Sequence, residues 1–268
     1  MSSSVTDNLR EYTGLLDSAD EAERIYAAED IGYLNAAEGV PALLERLCKE
    51  PSLAVRDALF GALIRIDKDE AIQGAVELLG SEDPQIRNQA VDVLRHKGAP
   101  SVSFLSTAMR DGNKDLRKLV LDVLTGFDTS AAEGIYTAAL GDEDPNVVIT
   151  AVENLGRIRA AEFRSRIEDL LRADAHPMLI GACLEALAAI GNELSSSAIR
   201  ERFPHPETLP DFLLVPWLKA IGAVGESQDF ASVTDLLAVR GGHLRPAILR
   251  ALTEIRRRCP TAPGDCGS

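Results

Sequence analysis

The histidines and cysteines are the residues of this chain best suited to metal binding or nucleophilic chemistry. They are His96, His176, His205 and His243, with Cys48, Cys183, Cys259 and Cys266. No two cysteines form a Cys-x-x-Cys pair, and no histidine stands at ligand spacing from another donor. A metal centre needs donors at such spacings, so none is expected. There is no Ser/His/Asp grouping and no glycine loop of the kind that cradles phosphate. The cysteines read as reduced structural thiols, because a chain this long and apolar does not depend on disulfide staples. Cys183 falls on a core-facing helical stripe, which argues against a nucleophile there. No catalytic residue and no resident cofactor is expected.

The remaining chemistry lies in arginines. Asp83 to Gly98 reads as one short helix with its limits written in. Asp83 can cap the first turn, Pro84 suits the first helical position, and Gly98 can close the helix in a left-handed conformation. Ile86, Ala90, Val93 and Leu94 share one face. Arg87 sits on that helix, and its equivalents recur along the chain.

Aligned on Arg87, the equivalents are Arg24, Arg56, Arg117, Val148, Ile180, Leu214 and Arg245, at intervals of 30 to 34 residues. Seven residues past each of the eight anchors lies Leu or Ile: Ile31, Leu63, Leu94, Leu124, Leu155, Leu187, Ile221 and Leu252. Four before the first five lie Asp20, Ser52, Asp83, Asn113 and Asp144, all able to cap a helix. Eleven past the first seven lie Asn35, Asp67, Gly98, Asp128, Arg159, Gly191 and Gly225, and all but Arg159 suit a turn. A second apolar stripe, including Leu47, Leu79, Leu140, Leu171, Phe203 and Leu237, marks a second helix in each unit. Each unit is therefore two antiparallel helices, A and then B. Neither buries its stripe alone, so the units must stack.

The expected fold is all-α, an α-α superhelix of about eight helical-hairpin repeats of 30–34 residues. It runs over 5–258 as a single solenoid. Residues 5–18 form an N-terminal capping helix with the phase of a B helix, 242–258 form a C-terminal capping helix, and 259–268 form a disordered tail. Composition agrees: 46% of residues are apolar and only 4% aromatic, which suits packed helices better than a sheet. The net charge of −14 disfavours nucleic acid and anionic membrane surfaces as partners. The first residues lack the basic and apolar regions of a signal peptide, and no run of about 20 apolar residues could span a bilayer. A cytoplasmic location is expected.

The pattern Asp-Pro-x-Ile/Val-Arg-x-x-Ala-x-x-Ala/Val-Leu resembles HEAT repeats, in the short form found in phycobiliprotein lyase subunits and bacterial relatives. The resemblance covers about residues 5 to 258. It implies that B helices line a concave surface and A helices a convex one. The family includes bilin lyase subunits, an iron-dependent deoxyhypusine hydroxylase, DNA-base glycosylases of a related helical type, and many scaffolds. The hydroxylase holds iron with His-Glu dipeptides. Here the histidines precede Lys97, Pro177, Pro206 and Leu244, so that activity is not supported.

Three kinds of position remain as candidates. Arg24, Arg56, Arg87, Arg117 and Arg245 read either as a ladder joining neighbouring repeats or as an anion-binding row; recurrence with the fold favours the ladder. The outward face of the B helices carries Glu45, Glu77, Asp169, Glu201 and Asp235, with Ser103, Thr107, Gly134 and Ala138 as a neutral middle. That face reads as a solvated surface or as a groove for a basic or mixed-charge segment of another protein. The proline-rich loop 203–210 with His205, and Trp217 in a slot elsewhere held by Ala27, Ala90 and Ala151, reads as a refilled junction or a recognition element. The function expected is a non-enzymatic scaffold or adaptor, a monomer or part of a hetero-complex. The alternative is a subunit of a bilin lyase or isomerase, the only case in which a bilin enters.

Overall fold

The computed structural model describes residues 3–110, 112–173, 176–240 and 242–260. Among these residues there are sixteen α-helices and no strand. The chain forms two compact units, Met1–Ile135 and Tyr136–Ser268.

The first unit contains α1 (Ser3–Leu15), α2 (Glu21–Leu34), α3 (Val40–Lys49), α4 (Leu53–Arg65), α5 (Asp69–Leu78), α6 (Pro84–Lys97), α7 (Val102–Ala108) and α8 (Lys114–Leu124). Helix α9 (Thr129–Ala139) carries the division. The second unit continues with α10 (Pro145–Arg157), α11 (Arg164–Arg172), α12 (Pro177–Ile190), α13 (Glu193–Arg202), α14 (Asp211–Val224), α15 (Asp229–Arg240) and α16 (Arg245–Arg258). Even-numbered helices are the A helices of the repeat, and odd-numbered ones the B helices.

The five expected caps are formed. Asp20, Ser52, Asp83, Asn113 and Asp144 each accept a backbone N–H from the first turn of α2, α4, α6, α8 and α10. At the other end, Asn35 is left-handed with φ 50°. Gly98 has φ 66° but ψ −143°, so it closes α6 in an extended mirror conformation rather than the left-handed one. Arg159, the one stop residue whose type argued against a turn, also has positive φ, 58°. The repeat therefore imposes the turn on a side chain that disfavours it.

Within each unit the A helices form one packed row: α2 on α4 on α6 on α8, and α10 on α12 on α14 on α16. The B helices pack as α3–α5–α7 and α11–α13. The period residues Ile31, Leu63, Leu94, Leu124, Leu155, Leu187 and Ile221 are fully buried between the rows. Leu252, in the last helix, is only half-buried. Three A–A contacts are close enough to require glycine. A Cβ on Gly32 would lie 2.9 Å from the Ala62 backbone, on Gly156 2.8 Å from Ala186, and on Gly222 3.1 Å from Ala251. Each glycine stands eight residues past its anchor, and each alanine six past the next one. The smallest side chains thus set how near consecutive A helices lie.

The contacts also decide which helices form a hairpin. The period allows a B helix to pair with the A helix before it or after it. It packs chiefly on the one after: α1 on α2, α3 on α4, α5 on α6, α7 on α8, α11 on α12, α13 on α14, and α15 on α16, with α5 also touching α4 before it. The disordered-tail reading of 259–268 falls, beyond Pro260, outside the described residues, as does Cys266.

Candidate functional site

The anchor arginines turn back onto the loop ahead of their own helix. Arg24 donates to the Ser18 and Ala19 carbonyls at 2.9 and 3.2 Å, Arg56 to that of Glu50 at 2.7 Å, and Arg87 to those of Ser81 and Glu82 at 2.8 and 2.9 Å. Two of them also reach the next repeat. Arg24 donates to both carboxylate oxygens of Glu50, at 3.0 and 3.2 Å, and Arg56 to Asp83 at 2.8 Å. Arg117 is buried. Arg245 is exposed at the start of α16 and does not join this pattern.

Glu50 is the centre of the first contact and is fully buried. It also accepts from Arg46 at 2.6 Å and from the Ser52 amide at 2.9 Å. Burial pushes its carboxyl pKa up, but Arg24, the Ser52 amide and Arg46 outweigh that and hold it below the usual range. Asp83 is likewise held down, first by the Gln85 amide and then by Arg56. Arg24 and Arg56 therefore tie one repeat to the next. Glu50 escaped the sequence reading, although an acid stands 26 or 27 residues after both Arg24 and Arg56.

The ladder stops where Val148, Ile180 and Leu214 take the anchor position, and all three are buried. In the second unit the ties move toward the B helices. Arg172 meets Glu201 at 3.2 Å, and Arg200 meets Glu226 and Asp229 at 2.9 and 2.8 Å.

The B-helix face is as exposed as the pattern requires. Glu45, Glu77, Ser103, Thr107 and Gly134 are exposed in the first unit, and Ala138, Asp169, Glu201 and Asp235 in the second. Its cations are fewer than its carboxylates. Lys49 is shared by Glu45 and Asp17, at 3.0 and 3.1 Å. Arg172 is shared by Asp169 and Glu201, at 3.2 Å each.

The loop 203–210 includes a 3₁₀ turn, Pro206–Thr208, and Arg240 clamps it by donating to the Glu207 and Leu209 carbonyls at 2.9 Å each. Arg240 and His243 also bond Asp211 and hold its carboxyl below the usual range. His205 is exposed, 3.4 Å from Glu207. Trp217 is not a surface residue. It is 3% exposed, and Ala27, Ala90 and Ala151 at the equivalent positions are buried as well. The slot belongs to the core in every one of these repeats, so Trp217 is corrected from a partner contact to packing. That signal was already present in the alignment of the repeats. Among the described residues no three His, Cys, Asp or Glu side chains converge as a metal site, and no helix is long and apolar enough to cross a membrane.

A family model of HEAT repeats matches residues 12–95 and 102–188. The chain belongs to the HEAT-repeat family. Among solved structures, this HEAT-repeat chain is similar to YibA of Escherichia coli, with 15% identity, a TM-score of 0.51, and coverage of 94% of this chain and 95% of that one. That likeness shows the fold. Also similar are an engineered protein at 17% identity and a TM-score of 0.37, covering 93% and 97% of the two chains, and the complex of CpcE and CpcF of phycocyanin lyase from Nostoc at 16% identity and 0.34, covering 92% and 94%. No curated protein matches the chain.

Proposed function

We propose that this HEAT-repeat protein is a non-enzymatic scaffold whose B-helix face receives a basic or mixed-charge segment of a partner protein. The observation that carries the reading is the run of exposed carboxylates on that face: Glu77 and Asp235 meet no cation among the described residues, and one arginine serves both Asp169 and Glu201. A surface of one sign steers a partner of the other and weakens with salt. Neutral Ser103, Thr107 and Gly134 leave room in the first unit for a backbone to approach. The reading needs no cofactor.

Affinity purification at low salt, followed by a salt titration, tests it. A partner should be retained and then released as salt rises. Glu45→Lys with Glu77→Lys should weaken retention about tenfold or more, since placing like charges opposite each other costs on the order of a kcal/mol or more. Recovery of no partner, together with no effect of the reversals, removes the proposal. Coloured protein after co-expression with a bilin-producing pathway would move the function to the lyase alternative.

A further inference from the structure

A second surface, where the outward row of the A helices turns from acidic to basic, lies on the A-helix side of the second unit. The fifth residue past each anchor points outward along the A helices. From the first repeat onward it reads Glu29, Gly61, Asp92, Asp122, Glu153 and Glu185, and then Lys219 and Arg250. Acidity holds in five of the first six repeats and reverses in the last two. The reversal coincides with an apolar groove of about 320 Å³ between α14 and α16, bordered by both cations. Small residues, Gly222, Ala223, Ala247 and Ala251, line it together with Val215, and Glu254, paired with Arg257 at 3.0 Å, stands on its border. Val215 is 43% exposed, and Phe212, one turn earlier on α14, is 57% exposed. Lys219 bonds Glu185. Arg250 is exposed and has no hydrogen-bond or ion-pair partner among the described residues.

We propose that this groove docks an acidic amphipathic helix of a partner protein, with a bulky apolar side chain against Gly222 and Ala251 and a carboxylate on Arg250. From Val215 to Ala223 the groove runs about 12 Å at 1.5 Å per residue, the length of two turns of a docked helix. Helix-in-groove recognition uses apolar anchors at i, i+3 or i+4, and i+7, and a groove of this length takes two of them. The volume is at the lower end of small-molecule pockets, which suits side chains better than a cofactor. Charge complementarity selects the sign. Lys219 is already paired with Glu185, and Glu254, which also lines the groove, with Arg257, whereas the guanidinium of Arg250 is free to take a carboxylate as it leaves water. The long-range repulsion from a chain of net charge −14 is screened beyond about 8 Å at physiological salt, which leaves the local cations to decide.

The test uses the full chain and a fluorescein-labelled amphipathic peptide, with leucines at i, i+4 and i+7 and glutamates on the other face. Its counterpart carries lysines in place of the glutamates. Anisotropy reports binding, and emission of Trp217, the sole tryptophan, reports changes at α14. The glutamate peptide should bind, the lysine peptide should bind at least about tenfold more weakly here, and Trp217 emission should shift only with the first. Lys219→Glu with Arg250→Glu should weaken the glutamate peptide about tenfold or more, and Ala247→Phe, which fills the groove, should do the same with the helical circular dichroism unchanged. Glu45→Lys with Glu77→Lys should leave this binding intact, which separates it from the B-face proposal. Binding that ignores both groove variants, equal binding of the lysine peptide, or no binding of the glutamate peptide at about 1 mM overturns the proposal. Self-association abolished by Ala247→Phe would assign the groove to a second copy and overturn it as well.

Discussion

Glu50 lies 26 residues from Arg24 and accepts from its Nε and Nη2, with each side chain buried. Breaking such a pair leaves a buried charge uncompensated, which costs about 3–5 kcal/mol. Glu50→Gln should therefore lose about that much in urea unfolding, whereas Arg245→Ala, at an exposed position, should stay within about 0.5 kcal/mol. Acid gives the same tie a sign. The carboxyl of Glu50 is held below its ordinary range in the folded state, so the stability it supplies is complete above the unfolded pKa. That stability is lost as pH falls through the lower folded value. Wild type should lose stability below about pH 4 more steeply than Glu50→Gln when unfolding is measured across pH. Thiol chemistry should divide in the same local way. Burial pushes Cys183 up to about 12, so at pH 8 it stays a protonated thiol, while Cys48 is exposed. Mass mapping after brief alkylation should find Cys48 modified and Cys183 untouched; early modification of Cys183 would contradict this burial.

Helix starts were legible in the residues themselves, because a cap is a bond between a side chain and an amide two or three positions on. Asp83 and the Gln85 N–H need nothing from elsewhere in the chain. Spacing between helices was not legible in that way. Gly156 has meaning only against Ala186, thirty residues later, where a Cβ would come within 2.8 Å of backbone. Gly156→Val should force α10 and α12 apart and cost about 1–3 kcal/mol, seen as a lower urea midpoint and faster amide exchange in these helices. Gly61 is the contrasting case within α4: a Cβ there meets nothing within 4 Å. Gly61→Ala should instead stabilise by about 0.5–1 kcal/mol through helix propensity. The same sign for both substitutions would mean that propensity, not close approach, governs these glycines.

At the scale of the molecule, both proposed docking surfaces rest on charge distributed over helix faces. The B-face proposal predicts that partner retention falls steeply between low and physiological salt, and that a neutral change such as Thr107→Ala alters it far less than Glu77→Lys. Amino-acid order alone determined the period, the helix limits and the buried stripes, because these follow from hydrogen bonds and 3.6-residue periodicity within about ten residues. It also determined that the B-face positions would be exposed, since they lie opposite those stripes. Tertiary structure decided the rest. It chose which neighbour each B helix pairs with, placed Glu50 beneath Arg24, and took Trp217 into the core. It also left Arg245 outside the arginine pattern and opened the groove beside Arg250. Each of these depends on contacts between segments about thirty residues apart, and a local pattern specifies both partners without specifying that they meet.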